Sequence, residues 1–234
     1  MKKALALVLA LCMVVALCAC GKSEAPAEDI NAKSEGVMTY AEFAAAALDS
    51  EVVIEAYVQD TQTWWDGTAS IYAQDGDGGY FVYGAACTEE EYGKLVAGQK
   101  IRVTGYKAEW AGEVEIADAT FEILEGNYVA PAVDVTDKLD ALESYMNQRV
   151  AFKGMTVEAV SFKNNEPGDD IYVTLSKDGT SYEFCIEAYC ASTVPGTPVY
   201  DAVGALEAGQ TVDVEGFLYW YEGPDTHITA VTVK

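Results

Sequence analysis

Two segments of nearly the same sequence decide how this chain folds. Residues 95–106 read LVAGQKIRVTGY and residues 206–217 read LEAGQTVDVEGF, so each matched position is offset by 111 residues. A repeat of this length predicts one supersecondary unit that is built twice. In each copy a short helix ends at Ala-Gly and a strand of alternating apolar and polar residues follows, with Gly105 or Gly216 at an apolar position.

The segments that flank each repeat follow the same order of predicted elements. The first copy predicts a helix capped by Thr39, a strand over 51–59, a hairpin over 70–83, a helix capped by Thr88 and a closing hairpin over 100–123. The second copy predicts a helix capped by Thr136, a strand over 148–160, a hairpin over 171–186, a helix from Thr197-Pro198 and a closing hairpin over 210–233. In the last strand of the first copy, the apolar residues shift from even-numbered positions (Val114, Ile116) to odd-numbered ones (Phe121, Ile123). One extra residue in the strand would explain this shift, which predicts a β-bulge near 117–119.

Three meandering strands, a helix and a two-stranded hairpin form the order of the OB-fold, a small five-stranded barrel. The pattern L-x-A-G-Q-x-[I/V]-x-V-x-G resembles the fourth-strand signature of bacterial extracytoplasmic OB-fold domains. The resemblance implies a mainly β protein with short helices, built as two tandem OB-fold-like barrels. We place them at 38–126 and 127–234, with a linker over 125–134. The alternative is a pair of β-sandwich halves packed as one domain, which the helix between the third and fourth strands disfavours.

The beginning of the chain has the composition of an export signal. Lys2 and Lys3 precede an uncharged apolar run, and residues 17–20 read LCAC. This ending resembles the lipobox of bacterial lipoproteins, which implies a signal peptide over 1–19, cleavage before Cys20 and attachment of lipid to the Cys20 sulfur. Residues 20–37 then predict a flexible tether. We therefore expect a lipid-anchored protein on the extracytoplasmic face of the cell membrane; an ordinary secretory signal is the alternative.

The chain is strongly acidic, with 14 Lys and Arg against 38 Asp and Glu and a net charge of −24. A field of this sign repels phosphate groups, whose binding depends on neutralisation by Lys and Arg. On charge alone, nucleic acid and anionic lipid headgroups are therefore poor candidate partners.

The sequence predicts neither catalysis nor a bound metal or cofactor. Beyond the lipobox the cysteines are Cys87, Cys185 and Cys190, whose spacing suggests no zinc or redox site. Cys185 and Cys190 form a disulfide only if the chain turns back between them. The single histidine, His227, has no nucleophile beside it in the sequence, and the motifs of common hydrolases and phosphate-binding loops are absent.

The tryptophans cluster in the loops that OB-folds use for binding. Such folds bind across strands two and three, between the loop after strand one and the loop after strand four. The candidate ligand-binding residues are Trp64 and Trp65 in the first of these loops, Trp110 in the second, Tyr106 on the preceding strand, and Tyr219, Trp220 and Tyr221 at the corresponding turn of the second copy. Clustered indoles predict a stacking platform, with the better site on the first copy. The alternative is that these rings cap the barrels or fill the contact between domains.

Three functions follow from these observations. The first is a non-catalytic binding module that recognises a neutral glycan or a protein partner through Trp64, Trp65 and Trp110. The second is a structural or assembly module of the cell envelope, in which the aromatic loops are buried in interfaces. The third is a single-stranded nucleic-acid-binding OB protein, and the fold alone does not choose among them.

Overall fold

The computed structural model describes residues 29–234, which form two β-barrels in tandem. The predicted signal peptide, the Cys20 lipidation site and the first part of the tether lie outside the described residues. Barrel 1 consists of α1 (Tyr40–Ala45), β1 (Glu51–Thr61), β2 (Thr68–Gln74), β3 (Gly79–Ala86), α2 (Glu89–Tyr92), β4 (Gln99–Trp110) and β5 (Glu113–Asn127). Its strands close in the order β1-β2-β3-β5-β4.

Barrel 2 repeats this architecture. It contains β6 (Val133–Asp134), β7 (Arg149–Phe162), β8 (Ile171–Lys177), β9 (Thr180–Ile186), α3 (Pro198–Gly204), β10 (Thr211–Trp220) and β11 (Pro224–Val233). Pairing of β10 with β7 closes the ring β7-β8-β9-β11-β10, and β6 adds to β7 as an extra parallel strand. In both barrels the third and fifth strands pair in parallel, as the OB order requires. The prediction of two tandem OB-fold-like barrels is confirmed.

Each barrel encloses its own apolar core, built from the inward positions of alternating strands. In barrel 1, Val52, Ile54, Ile71, Ile101 and Val103 are fully buried. The core of barrel 2 contains a separate cluster around Val150, Phe152, Leu175, Phe184 and Val214. Burial at every second residue is why the period-two pattern was visible in the sequence.

The repeated glycines lie where two strands approach each other too closely for a side chain. A Cβ added to Gly105 would lie 2.7 Å from Ile116 Cγ2, and one added to Gly216 would lie 2.3 Å from the His227 carbonyl oxygen. The pairing register shifts beside both glycines, and the bulged residue in barrel 1, Asp118, has a φ of 48°. The predicted bulge near 117–119 is confirmed, and the glycines allow both barrels to bend sharply there.

Three of the four predicted helix starts are confirmed, and the one at Thr136 is wrong. Thr39 and Thr88 form the predicted capping boxes, and Thr197 caps α3. The helix expected from Thr136 to Tyr145 is instead two 3-10 helices, Thr136–Lys138 and Leu142–Tyr145, and Thr136 is not a cap. Its hydroxyl accepts from the Lys153 backbone N–H and donates to Asp134, so it serves strand pairing in place of a helix start.

Part of the segment assigned to the tether contacts barrel 1. Lys33 Nζ lies 2.6 Å from Asp75 Oδ2 and also donates to the Glu55 carbonyl oxygen. The Asp75 side chain is fully buried, so this ion pair is shielded from water and holds the tether segment against the β2–β3 turn. Among residues 29–234, no helix has the length and apolar character needed to cross a bilayer.

Candidate functional site

Barrel 2 covers part of the outer face of barrel 1 that OB-folds use for binding. Tyr72 on β2 and Phe81 on β3 point outward but are buried under Phe217 and Tyr219 of β10. The Tyr72 and Phe217 rings stack with centroids 4.5 Å apart and an interplanar angle of 12°. A hairpin of the second barrel therefore covers part of this face of the first barrel.

A buried histidine secures this contact. His227 Nδ1 lies 2.6 Å from the Tyr72 hydroxyl, and the His227 ring stacks on Tyr219 with centroids 4.5 Å apart. Burial lowers the pKa of His227 to about 4, so the imidazole is neutral at pH 7. A neutral, enclosed imidazole bonded to a tyrosine serves as packing between the barrels.

Backbone pairing joins the barrels along both edges of the same contact. At one edge, the Thr63 N–H donates to the Tyr189 carbonyl and the Ala191 N–H donates to the Thr61 carbonyl. At the other edge, the Glu222 N–H donates to the Ala111 carbonyl over 2.7 Å. Each barrel therefore fixes the position of loops on the other.

The uncovered part of the face forms a groove, which we call the aromatic groove. Its main cavity has a volume of about 560 Å³, and a smaller cavity of about 160 Å³ continues from it. The two cavities share Tyr83 and Glu115, so they adjoin each other. Side chains that can stack or hydrogen-bond line it: Gln62, Thr63, Trp65, Ser70, Tyr83, Trp110, Glu115, Asp118 and Tyr219.

Trp65 stands at one end of the aromatic groove on a rigid turn. Its side chain is 80% exposed, while its backbone exchanges two hydrogen bonds of 3.0 Å with Thr68. Between them Asp66 and Gly67 have φ values of 46° and 83°, the conformation of a two-residue type I′ turn. The turn fixes the backbone on either side of Trp65 and presents the indole to solvent.

Trp110 and its neighbours form the other end. Trp110 is 55% exposed, and its ring lies 5.3 Å from that of Tyr221, which is 50% exposed. Tyr219 lines the smaller cavity while its other side packs on Phe81 and His227. The structure therefore brings Trp65, Trp110 and Tyr219 to one groove and places Tyr221 next to it.

The remaining candidate aromatics do not line the groove. The Trp64 indole N–H donates to the Cys87 carbonyl, and its ring packs on the core of barrel 1. Trp220 packs on the core of barrel 2 and against Gly112, where an added Cβ would lie 2.7 Å from the indole. Tyr106 is exposed on β4, outside the lining of both cavities. For Trp64 and Trp220 the structure matches the alternative of capping and interface packing.

The polar lining consists of acidic and neutral side chains, because the groove-lining residues among those described include no Lys or Arg. Glu115 lies near the middle and is only 8% exposed, and burial raises the pKa of its carboxyl above the ordinary range. Together with Gln62, Ser70 and Asp118 it offers hydrogen-bond acceptors and hydroxyl or amide donors beside the rings. This arrangement can stack a flat or apolar face and hydrogen-bond the polar edge of a ligand.

Several groove residues were not among the candidates from the sequence. Tyr83 points outward on β3 and is 57% exposed, Glu115 faces it from β5, and Gln62 belongs to a loop held by barrel 2. Tyr83 lies at an outward-facing position of the third strand, so the alternation of that strand in the sequence could have indicated it as a groove residue. No pattern in the sequence indicates Glu115 or Gln62, because they join the site only through strand pairing and the contact between barrels.

The cysteines of the described residues are free and buried, and Cys185 and Cys190 are not bonded to each other. Burial raises the pKa of both thiols, so neither is a nucleophile at neutral pH. Within residues 29–234, no group of three or more His, Cys, Asp or Glu side chains is arranged to hold a metal ion.

Comparison with known proteins identifies no family. No family model and no curated protein sequence match the chain. Solved structures with a related arrangement include a murine DNA-binding protein bound to double-stranded DNA, with 11% identity, a TM-score of 0.36 and coverage of 77% of this chain and 94% of that one. The Ifi202 HINa domain in complex with 20-base-pair double-stranded DNA has 10% identity, a TM-score of 0.34 and coverage of 79% of this chain and 98% of that one. A replication protein A heterotrimer bound to single-stranded DNA has 12% identity, a TM-score of 0.33 and coverage of 79% of this chain and 48% of that one. At these values the similarity assigns no ligand to this chain, and the fold assignment rests on its own strand pairing.

These structures do correct one prediction. From net charge alone we expected nucleic acid to be a poor candidate partner, whereas the three structures named above are described with DNA bound. The prediction that nucleic acid is an unlikely partner is therefore contradicted. Net charge describes the whole surface, and a partner is selected by one face of it.

Proposed function

We propose that this protein is a non-catalytic binding module that takes a neutral oligosaccharide in the aromatic groove. The observation that carries the proposal is the placement of Trp65, Tyr83 and Trp110, each more than half exposed, around a groove whose polar side chains are hydroxyls, amides and carboxylates. A pyranose has apolar C–H faces that stack on rings and a rim of hydroxyls that need both donors and acceptors. OB-folds bind oligosaccharides as well as oligonucleotides on this face.

The proposed location is the extracytoplasmic side of the cell membrane, with the barrels held by lipid on Cys20. The basic start, the apolar run and the LCAC ending of residues 17–20 support this location. Attachment of two or more acyl chains provides stable anchoring, whereas one chain binds membranes only marginally. An anchored module of this kind would hold a glycan close to the cell surface.

Single-stranded nucleic acid is the second candidate function. It is supported by the same exposed rings, since bases stack on aromatic side chains with about 1–3 kcal/mol each. The two ligands differ in what else they require. A nucleic acid brings phosphates that need Lys or Arg, while a neutral sugar is served by the acidic and amide groups found in the aromatic groove.

Isothermal titration calorimetry on the full-length protein in mild detergent tests the proposal. The probes are neutral oligosaccharides of glucose, xylose, mannose and N-acetylglucosamine, with a single-stranded oligonucleotide in parallel. We expect at least one oligosaccharide to bind, and Trp65→Ala to weaken its binding about tenfold, equivalent to roughly 1.4 kcal/mol. Tyr106→Ala is the matched control, because it removes an exposed ring outside the groove and should change the Kd by less than twofold.

Two results would contradict the glycan assignment. One is the absence of binding by every oligosaccharide in the panel. The other is tight, salt-dependent binding of the oligonucleotide, if Trp65→Ala weakens that binding. This result would identify the aromatic groove as a site for single-stranded nucleic acid.

A further inference from the structure

Barrel 2 has a second cavity on the face that corresponds to the aromatic groove of barrel 1. Its volume is about 440 Å³, and it lies on the outer side of β8, β9 and β11. The side chains that matter for recognition are two tyrosines and three carboxylates: Tyr172, Glu183, Tyr221, Glu222 and Asp225. Tyr182 also borders the cavity, but its ring packs on the core of barrel 2. Tyr172 is 42% exposed and Tyr221 is 50% exposed, so both rings present open surface.

The barrel 2 cavity has the same chemical character as the aromatic groove. Aromatic rings stand beside carboxylates and a hydroxyl from Ser181, and the described residues that line it include no Lys or Arg. Both depressions therefore offer stacking surfaces and hydrogen-bond acceptors, and neither complements a negatively charged ligand.

One pair of rings connects the two depressions. Trp110 lines the smaller cavity of the aromatic groove, Tyr221 lines the barrel 2 cavity, and the two ring centroids are 5.3 Å apart. The turns that carry them are also joined, since the Glu222 N–H donates to the Ala111 carbonyl. The path from Trp65 through Tyr83 and Trp110 to Tyr221 is thus a row of exposed aromatic rings that crosses from one barrel to the other.

We infer that the barrel 2 cavity is a second subsite of the same ligand, so that the protein selects long, uncharged oligosaccharide chains over short ones. This inference rests on the proposed function and adds the length and charge of the ligand to it. A short oligomer fills only the aromatic groove, whereas a longer one crosses the Trp110–Tyr221 pair and gains contacts on barrel 2. Because the fixed contact between barrels already aligns the two subsites, the second set of contacts costs little additional ordering.

A chain-length series tests the inference. For the sugar that binds, the Kd is measured by calorimetry with oligomers of increasing length, using the full-length wild type and the Trp65→Ala and Tyr172→Ala variants. In the wild type the affinity should rise at least tenfold between the shortest binding oligomer and the longest. Tyr172→Ala should abolish most of this gain while changing the Kd of the shortest oligomer by less than twofold, whereas Trp65→Ala should weaken binding at every length.

The control and the contrary outcomes separate this inference from the proposed function. Tyr106→Ala should reproduce the wild-type length dependence, and thermal unfolding shows whether Tyr172→Ala keeps its fold. Equal affinity for short and long oligomers, or a length dependence that survives in a folded Tyr172→Ala variant, would overturn the second subsite while leaving the aromatic groove in place. An oligomer of uronic acid that binds as tightly as the neutral chain of the same length would overturn the charge selectivity. Failure of every oligomer to bind would instead reject the proposed function itself.

Discussion

At the scale of single residues, the glycines of the repeat mark the points where the barrels are most tightly packed. An added Cβ at Gly105 would lie 2.7 Å from an Ile116 methyl and 2.8 Å from the Ala117 carbonyl oxygen, whereas one at Gly216 would lie 2.3 Å from the His227 carbonyl oxygen. The overlap with backbone is deeper at Gly216, and backbone can give way only if the paired strands separate, so Gly216 tolerates a side chain less well.

Gly216→Ala should therefore destabilise the protein by about 2 kcal/mol or more, because the new Cβ would overlap the β11 backbone. Urea unfolding followed by circular dichroism measures the change. Gly93→Ala is the matched control, since the nearest atoms to its added Cβ are 3.6 Å away and its φ of −60° suits any residue. A Gly216→Ala protein as stable as the Gly93→Ala protein would show that the strands can separate freely at this position.

At the scale of elements, the two-residue turns between strands position the exposed rings. Asp66-Gly67 next to Trp65 and Asp178-Gly179 between β8 and β9 have nearly identical φ values, 46° and 83° against 50° and 85°. An added Cβ at either glycine meets no atom within 4 Å, so the cost of a substitution comes only from the positive φ.

Gly67→Ala and Gly179→Ala should each lower the free energy of unfolding by about 1 kcal/mol. Only Gly67→Ala should also weaken binding of a short oligosaccharide, by several-fold, because it disturbs the turn that holds Trp65. Calorimetry with the shortest binding oligomer provides the comparison. Equal affinities of the two variants would mean that the position of Trp65 does not depend on its turn.

At the scale of the whole molecule, the contact between barrels contains a buried acid, Glu113, and no basic side chain among residues 29–234 contributes to its pKa. Glu113 is fully buried at the start of β5, and its Oε2 accepts from the Trp220 N–H of barrel 2 over 2.9 Å. Burial raises the pKa of Glu113 to about 8. Hydrogen bonds from Asn147 and the Trp220 N–H lower this pKa, and the nearby Glu115 carboxylate raises it by a smaller amount. Burial also raises the pKa values of Tyr40, Tyr72 and Tyr219, and the Glu113 charge contributes to each of these shifts after burial.

The sign of the pH dependence follows from this shift. The folded state holds a proton on Glu113 that the unfolded chain releases near its ordinary pKa of 4.5, so this contribution to stability is complete below pH 4.5 and is lost as the pH rises through about 8. Burial also raises the pKa of Glu187 to about 7 and that of Asp225 to about 6, with the same sign. His227 acts oppositely, because its lowered pKa removes stability as the pH falls below 6.5.

Glu113→Gln isolates the contribution of one group, since glutamine resembles the protonated acid in shape and charge. The free energy of unfolding of the wild type should fall relative to that of the variant between pH 5 and 8, by up to about 1.4 kcal/mol per pH unit. Urea titrations across this range measure the difference. Parallel pH profiles of the two proteins would show that Glu113 is ionised in the folded state at neutral pH.

The sequence by itself determined the repeated unit. Alternating apolar positions, the capping boxes at Thr39 and Thr88, the turn residues and the two L-x-A-G-Q segments act over a few neighbouring residues, so the strand order and the bulge beside Asp118 could be predicted from them. Thr136 was misassigned because its hydroxyl is used by the Lys153 backbone, a partner that is remote in sequence.

Only the tertiary structure decided which aromatic rings line the groove and which pack in the interior. Trp64 and Trp65 are adjacent and chemically identical, yet one indole packs on the barrel core and the other stands in solvent, because burial depends on what the folded chain places against each ring.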